Sequence, residues 1–436
     1  GETKTQVTDG TSVVADKTKP MLSVALVSSS SAMSDLAAMK QSDGQTALMR
    51  PQDWVERSNA ATIDDVVTLT ITSNEFIFTP TVVFKVNGQL AKSVVAYSDP
   101  KQASSPLHAN KVWTASFTIN ANDRDGSLVE FLVQTRDAAG NAVAASNTTD
   151  GSSVIVDTTK PTVNVSIDTD NPAKSSIAER KVQLPVGWDS GRNVARTGNN
   201  VTLTITANEF IYRPTVVFKT NGQPVNDSGI RYANLYENST QEMANKVWTA
   251  VYTSHDADAD GVVTFTVYYK DVVNISGSTA TSTTDKTSVV IDSTPPNVTA
   301  LSIASSNSAQ RTISSLKQSD NQTDLLRPDG WDAKRNVATT GDVVTLMIRA
   351  DEFIQVPTAV FHTGGGATAN TSVVYQDRDS SSTDAANRLW DCSYVAHVND
   401  SDGLVSFTLR YFDVAGNFGE TKTQVTDGTS VVADKT

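Results

Sequence analysis

The sequence predicts an all-β fold made of β-sandwiches arranged in tandem, and three observations lead to this class. Apolar and polar residues alternate over short runs, turn signals separate the runs, and the whole pattern occurs three times. No stretch keeps a helical period. The 436 residues are 38% hydrophobic and 19% charged, which is enough apolar material for more than one core.

The repeats set the predicted domain boundaries. Pro20, Pro161 and Pro296 close related linkers and lie 141 and 135 residues apart. The first eighteen residues, GETKTQVTDGTSVVADKT, recur unchanged as the last eighteen, so three units fill a period of 418 residues. We predict the last strand and linker of a preceding repeat at 1–18, then units at 19–159, 160–294 and 295–436. A near-identical tandem array explains the identity, and a strand donated to a neighbouring molecule is the alternative.

Each unit is expected to begin with a strand and a long polar segment. In unit 1 this segment runs over about 28–59, with a short helix near 34–39. The motifs RPQDW, LPVGW and RPDGW place Trp54, Trp188 and Trp331 at one equivalent site, which we predict to fold over the end of the sandwich.

The middle of each unit predicts antiparallel strands. In unit 1, Val67, Leu69 and Ile71 alternate with threonines, so one face is apolar and the other faces water. Asn-Gly and Asp-Gly pairs mark tight turns between such runs. We expect about seven strands per unit, which is typical of an immunoglobulin-like sandwich, although the cysteine pair of antibody domains is absent.

The shared motifs carry a family resemblance. The segments GDVVTL, NEFI, PTVVF, NKVW, D-x-DG, D-x-AGN and DTTKP recur in this order in forms that differ slightly between units. This pattern resembles the bacterial-type Ig-like repeats of giant secreted adhesins and cell-surface filaments. The resemblance implies tandem sandwiches outside the cell and leaves open which role such an array serves.

Composition excludes several functional classes. A net charge of −13 opposes binding to nucleic acid, whose phosphates repel an acidic surface. No run of 18 apolar residues is present, so no membrane span is expected in this segment. Cys392 is the single cysteine, so no disulfide forms within the chain; it stands where the other units have Ala115 and Ala250, which predicts a small core position.

An acidic turn is the first candidate metal site. Carboxylates at alternate positions could converge on a hard cation such as calcium, whereas the other interpretation is a hairpin turn with aspartates capping backbone amides. No glutamate follows at the twelfth position of a calcium loop. The aspartates concerned are Asp256, Asp258 and Asp260, with Asp123 and Asp125, and Asp400 and Asp402, in the other units.

A second set of acids lies beside the linkers. In adhesin repeats of the kind that the chain resembles, linker acids bind calcium and stiffen the array, so the resemblance implies possible calcium sites here; loop capping is the alternative. The residues are Asp16, Asp157 and Asp292 before the linker prolines, and Asp137, Asp271 and Asp413 at the start of the D-x-AGN motifs, of which unit 2 has lost the AGN part.

No catalytic constellation recurs, so we predict that the protein is not an enzyme. Glu75, Glu209 and Glu352 occupy matching positions without a neighbouring base, which favours a structural hydrogen-bonding role. The four histidines do not occupy matching positions.

Ten Asn-x-Ser/Thr sequons are candidate glycosylation sites if the source glycosylates exported proteins. They are headed by Asn147, Asn164, Asn200, Asn226, Asn238, Asn274, Asn297, Asn321, Asn370 and Asn399.

The sequence therefore predicts a structural extracellular protein whose units build a surface filament, hair or adhesin stalk. Its expected partners are further copies of itself, because a repeated surface repeats its contacts. The alternative is an adhesion module that binds a glycan or protein through the polar segments around the three repeated tryptophans.

Overall fold

The structure is a computed structural model. It describes residues 13, 15–30, 58–98, 109–123, 125–172, 192–225, 229–234, 245–308, 335–368, 372–378 and 387–435. The helix predicted near 34–39 and the sites of Trp54, Trp188 and Trp331 lie outside these residues.

The described residues form strands and turns and contain no helix. Unit 1 has β1 (Leu22–Ser28), β2 (Ser58–Ala61), β3 (Val66–Phe78), β4 (Thr81–Val86), β5 (Gln89–Leu90), β6 (Ala96–Ser98), β7 (Ala109–Thr118), β8 (Ser127–Arg136), β9 (Ala142–Ala145) and β10 (Ser153–Val156). Unit 2 has β11 (Val163–Thr169), β12 (Arg192–Ala195), β13 (Asn200–Ile211), β14 (Thr215–Thr220), β15 (Gln223–Pro224), β16 (Arg231–Asn234), β17 (Asn245–Thr253), β18 (Gly261–Tyr268) and β19 (Ser288–Ile291). Unit 3 has β20 (Val298–Ser305), β21 (Arg335–Ala338), β22 (Val343–Ile354), β23 (Thr358–Thr363), β24 (Gly366–Ala367), β25 (Val374–Asp377), β26 (Asn387–Val395), β27 (Gly403–Arg410) and β28 (Ser430–Ala433).

Every unit is a sandwich of two sheets with the same topology. In unit 1 the first sheet has the order β1-β3-β7-β6 and the second β2-β10-β8-β4-β5, with β9 paired to β8. Units 2 and 3 repeat both orders, and isolated bridges, Val267 with Ala280 and Leu409 with Lys422, stand in place of the pairing of β9 with β8. The predicted all-β fold of tandem immunoglobulin-like sandwiches is confirmed. The expectation of about seven strands per unit is too low, because short edge strands such as β2 and β5 join the second sheet.

The alternation in the sequence sets the register and the core. Val67, Leu69 and Ile71 of β3 are wholly buried, whereas the threonines between them are half-buried. These residues pair with β7 so that Ile71 lies opposite Trp113 and Leu69 opposite Ala115. Each sandwich has its own buried cluster drawn from both sheets.

Three equivalent tryptophans anchor the cores. Trp113, Trp248 and Trp390 are at most 2% exposed. In each, the indole N–H donates to the carbonyl of an isoleucine in the last two residues of the long strand of the first sheet, Ile77, Ile211 or Ile354, at 3.2–3.4 Å. Burying the ring therefore leaves no indole donor unpaired.

Cys392 is wholly buried like Ala115 and Ala250, as expected of a small core residue, and burial raises the pKa of its thiol.

The Asn-Gly pairs form the tight turns that the sequence predicts. Asn87 and Gly88 have φ of 51° and 72°, and Asn221 and Gly222 have 46° and 78°. Two consecutive positive values are the signature of a type I′ hairpin, which these residues accommodate readily.

In the described residues, no helix is long and apolar enough to cross a membrane.

Candidate metal centres at the junctions between units

Three carboxylate clusters lie at equivalent places, each at the start of a unit. Each cluster takes one aspartate from the preceding segment, and one glutamate and one aspartate from the unit that follows. Within a cluster, one oxygen from each residue lies within 4.8 Å of the others. The clusters are Asp16, Glu75 and Asp137; Asp157, Glu209 and Asp271; and Asp292, Glu352 and Asp413.

The last strand of each unit holds the first aspartate. β10 runs parallel to β2, and directly after it the backbone N–H of Asp157 donates to the carbonyl of Ala61 at 2.9 Å. Asp292 makes the same bond to Ala195 at 2.8 Å. The linker aspartate is thus fixed to the end of its own sandwich before the chain enters the next unit.

A bulge positions the glutamate. The pairing of β3 with β7 is regular up to Thr72 and resumes at Ile77, so Glu75 lies in the irregular stretch between them. Units 2 and 3 have the same irregularity before Ile211 and Ile354. A bulge re-aims side chains locally, and here the glutamate of the NEF or DEF motif meets the linker aspartate.

The third carboxylate sits in a tight turn and is held by backbone and asparagine donors. Asp413 is wholly buried, and Asn417 donates to its Oδ1 through the backbone N–H at 2.8 Å and to its Oδ2 through Nδ2 at 2.7 Å. The Asn417 Nδ2 also donates to the carbonyl of Asp292 at 2.8 Å. Asn141 makes matching contacts with Asp137 and with the carbonyl of Thr18. The asparagine of the AGN motif therefore joins the turn to the incoming linker.

Unit 2 lacks this asparagine, and one buried oxygen is left without a partner. Ile275 occupies the position of Asn417, so it offers Asp271 only a backbone N–H, at 2.8 Å from Oδ1. Asp271 is wholly buried, and its Oδ2 has no hydrogen-bond partner. Asp157 Oδ1 and Glu209 Oε1 in the same cluster are also buried without a partner.

Burial and mutual repulsion raise the pKa values of these acids. Burial, followed by the charges of Asp271, Glu209 and Asp125, raises the pKa of Asp157 to about 8. Burial is also the largest cause for Asp271, whose pKa rises to about 7 although backbone hydrogen bonds oppose the shift. At the next junction, burial and neighbouring carboxylates raise the pKa of Asp292 to about 7 and that of Glu352 to about 8. A nearby cation would reverse this preference for the neutral acids.

Apolar residues that follow the cluster acids in sequence pack against the preceding unit at the two internal junctions. Ala60 of β2, the strand that pairs with the last strand of unit 1, packs in one buried cluster with Phe210, Val272 and Val273 of unit 2. Val194 of unit 2 packs with Val414 and Ala415 of unit 3, next to the half-buried Phe353. Asn171 and Arg196 of unit 2 also donate to the carbonyls of Ala415 and Gly416 at 3.0 and 2.8 Å.

The structure separates the aspartates of the acidic turn. The Oδ2 of the buried Asp258 accepts the backbone N–H of His255 at 2.9 Å, and Asp123 and Asp400 cap the same position in the other units. Asp256 is exposed and belongs to none of the three carboxylate clusters in the described residues. Convergence of this turn on its own cation is therefore not what the geometry shows. The capping alternative describes Asp123, Asp258 and Asp400.

The last aspartate of each turn reaches the linker instead. Asp125 Oδ1 accepts the backbone N–H of Thr158 at 2.6 Å, and Asp260 Oδ1 accepts that of Ser293 at 2.8 Å. Asp402 accepts from Lys435 at 3.1 Å. The following glycines Gly126, Gly261 and Gly403 have positive φ, which suits the turn. Asp125 and Asp260 add negative charge beside the clusters and contribute to the raised pKa values of Asp157 and Asp292.

Sequence reasoning missed the glutamate. Glu75, Glu209 and Glu352 were expected to serve as structural hydrogen-bonding groups, yet each joins a carboxylate cluster, and the Oε1 of Glu209 has no hydrogen-bond partner. The available signal was the phase of the glutamate: Glu75 stands in the same period of two as Leu69, Ile71 and Ile77, so a charged group is placed on the inner face, where it needs a partner.

The sequons fall into three groups. Asn200 is engaged in a polar network, since its side chain donates to Asp170 and accepts from Arg231 and Thr253. Asn147, Asn164, Asn274, Asn297 and Asn399 are exposed. Asn226, Asn238, Asn321 and Asn370 lie outside the described residues.

Comparisons with known proteins add no family. No family model and no curated protein matches the chain. Among solved structures, the crystal structure of Rst D1-D2 is similar over 54% of this chain and 96% of that chain, at 9% identity and a TM-score of 0.25. The mouse nectin-like molecule 4 ectodomain (Ig1-Ig3) is similar over 86% and 98%, at 10% identity and a TM-score of 0.24. Scores this low carry no argument about function, so the chain is described by what its own sheets show, a tandem series of immunoglobulin-like sandwiches.

Proposed function

We propose that the chain is a structural extracellular protein whose tandem units build a surface filament, hair or adhesin stalk, with calcium bound at the junctions. The observation that carries the proposal is the recurrence of one junction design. A linker aspartate, a bulge glutamate and a buried turn aspartate meet each time one unit follows another. A repeated joint that several contacts hold suits a protein that carries tension along an array of units.

The donor set fits calcium. Carboxylate oxygens are the hard ligands that this cation takes, in flexible geometry and with water completing the shell. At the junction of units 1 and 2, Asp157, Glu209 and Asp271 each have a buried oxygen without a partner, which is unfavourable unless a cation or proton satisfies it. Bound calcium would add positive charge beyond that of Lys246, whose charge opposes the raised pKa of Glu209, and would connect two units.

The linkers support a stiff joint. Only four residue steps separate Asp157 from Pro161, and both ends of this segment are tied to a sandwich or its turn. Proline restricts its own φ and that of the residue before it, so the joint differs from a Gly/Ser tether. The exposed sequons and the acidic surface are consistent with an exported protein, glycosylated where its source allows.

Calcium titration tests the joint. We expect calcium to bind the chain and to raise its melting temperature, and we expect chelator to abolish both effects. The stabilisation follows RT ln(1 + [L]/Kd), about 2.7 kcal/mol at a hundredfold excess over Kd. Small-angle scattering should show that the three units adopt a wider range of relative arrangements in chelator than in calcium, because the joints lose rigidity.

Matched variants locate the effect. Glu209→Gln combined with Asp271→Asn removes two carboxylates from one junction and should lower the calcium stoichiometry by one. Asp256→Asn removes an exposed acid outside the clusters and should leave binding unchanged. Identical melting curves with calcium and with chelator would contradict the calcium part of the proposal.

Images of the native assembly test the filament. With sandwiches roughly 40 Å long, as expected for strands of about eight residues and their end loops, three in line give an axial repeat of about 120 Å. Discrete particles of single chains would refute the filament and favour a separate adhesion module.

A further inference from the structure

The two internal junctions hold their units together with different contacts. We call the junction of units 1 and 2 the first junction, and the junction of units 2 and 3 the second junction. At the second junction, Asn171 and Arg196 of unit 2 donate to two carbonyls of the turn that follows Asp413, at 3.0 and 2.8 Å. Asn417 of unit 3 donates in the other direction, to the carbonyl of Asp292 at 2.8 Å. Hydrogen bonds are directional, so these three donors restrict how unit 3 turns on unit 2.

The first junction has none of these three donors. The strand registers and the positions of the turn aspartates show which residues correspond. A hydroxyl is too short to replace an arginine, and an isoleucine side chain has no donor. Ser30, Thr62 and Ile275 stand where the second junction has Asn171, Arg196 and Asn417.

Apolar packing holds the first junction instead. Ala60 of unit 1 packs with Phe210, Val272 and Val273 of unit 2 in one buried cluster. The hydrophobic effect depends on the area removed from water and has no preferred direction. This contact therefore keeps units 1 and 2 together, and it allows one unit to turn on the other.

The carboxylate cluster of the first junction also holds oxygens that lack partners. Asp157 Oδ1, Glu209 Oε1 and Asp271 Oδ2 are buried without a hydrogen bond, and Asp271 is wholly buried. Among the residues that the structure describes, no cluster oxygen of the second junction is in this condition. A cation bound by these three oxygens would tie the linker aspartate of unit 1 to two residues of unit 2.

From these differences, and resting on the proposed function, we infer that calcium controls the angle between units 1 and 2 more strongly than the angle between units 2 and 3. At the first junction, calcium supplies the directional tie that side-chain donors supply at the second. The three units then contain one joint that responds strongly to calcium and one that the protein itself restrains. The inference concerns the orientation of folded units and not the coupling of their unfolding.

Net charge alone favours the opposite order, so the inference rests on the donors and on the unpartnered oxygens. The second cluster has one more acid beside it, and more cations lie next to the first cluster in sequence or in space. Salt screens exposed charges and leaves buried contacts largely unaffected, so ionic strength separates the two causes. The charged groups are Lys160, Lys246 and Lys270 beside the first cluster, and Asp351, Arg196 and Arg388 beside the second.

Distances between spin labels test the inference. Glu130, Thr264 and Ser406 are exposed and occupy equivalent positions on β8, β18 and β27. Glu130→Cys with Thr264→Cys spans the first junction, and Thr264→Cys with Ser406→Cys spans the second; the wholly buried Cys392 is protected from the label. In chelator we expect the first pair to give the broader distribution of distances. Calcium should narrow this distribution far more than that of the second pair.

Exchanged residues show whether the donors cause the difference. Arg196→Thr with Asn417→Ile gives the second junction the residues of the first, and in chelator it should broaden the second distribution and leave the first unchanged. If that variant does not fold, Asn171→Ser removes one donor in the same way. The comparison is repeated at low and high salt. A difference between the junctions that disappears at high salt would come from charge and would overturn the inference.

The other outcomes separate this inference from the proposed function. Calcium titration of the same labelled chains shows whether the metal binds. Bound calcium with equal distributions for both pairs in chelator, or with equal narrowing of both, would overturn the unequal joints and leave the proposed calcium sites intact. A chain that binds no calcium would overturn the calcium part of the proposed function and this inference with it.

Discussion

At the residue scale, the junction carboxylates make the stability of the folded protein depend on pH. Asp157, Asp271, Asp292 and Glu352 have pKa values raised to about 7 or 8, chiefly by burial and then by neighbouring acids. In an unfolded chain, such groups titrate near pH 4. The folded protein without metal therefore keeps protons that the unfolded chain has already released.

This difference predicts that the metal-free protein loses stability as pH rises from about 4 to 8. The free energy of unfolding changes with pH in proportion to the protons bound by the unfolded state minus those bound by the folded state. That difference is negative here, so the slope is negative, about 1.4 kcal/mol per pH unit for each retained proton. Urea unfolding in chelator at pH 5 and pH 8 measures it.

Calcium should reverse the trend. A bound cation favours the ionised carboxylates, so protons compete with it and stability in saturating calcium should rise over the same interval. A metal-free protein that is as stable at pH 8 as at pH 5 would show that the clusters are not buried as the structure places them.

At the scale of the element, the sequence was sufficient for the long core strands and insufficient for the short edge strands and for the site. Alternation at Val67, Leu69 and Ile71 places the apolar set on one face, because the pleat has a period of two. The cluster depends instead on residues distant in sequence, such as Asp157 and Glu209. Only the bulge and the parallel pairing of β10 with β2 bring such residues together, and neither leaves a period to read.

The acidic turn shows the same limit. Alternating aspartates suggested converging ligands, yet the strand that follows the turn orients them differently. Asp258 caps the turn, and Asp260 reaches the linker. The spacing alone could not distinguish these roles, since both depend on where β19 and its linker pass.

The capping aspartate should therefore matter for stability and not for calcium. Asp258→Ala leaves the backbone N–H of His255 without its acceptor, so we expect a loss of about 1–3 kcal/mol in the free energy of unfolding. Chemical denaturation measures the loss, and calorimetric titration should show calcium binding with unchanged stoichiometry. The exposed Asp256→Asn is the matched control and should change neither quantity. If Asp258→Ala abolished calcium binding in a folded protein, the turn would be the site after all.

At the scale of the whole molecule, the junctions decide whether three sandwiches behave as three bodies or one. Each sandwich has its own core, and in the described residues small apolar patches and hydrogen bonds such as those of Asn171 and Arg196 connect neighbouring units. The patches are close to the carboxylate clusters. Without a cation, repulsion within the clusters opposes the apolar contacts, and with a cation both act in the same direction.

Calcium should therefore couple the unfolding of the units. At about 0.7 kcal/mol per residue near 60 °C, the chain should absorb about 300 kcal/mol on unfolding and a single unit about 100 kcal/mol. Units that unfold independently give a van't Hoff enthalpy of about one third of the calorimetric enthalpy, whereas coupled units approach equality. Scanning calorimetry should show the ratio near one third in chelator and clearly higher in calcium. Glu209→Gln with Glu352→Gln removes one ligand from each internal junction and should return the calcium ratio towards one third, because each sandwich keeps its core and loses only its tie to the next. A ratio that stays near one third in calcium would mean that the joints transmit no free energy between neighbours, and a stiffened array would then have no physical basis in this chain.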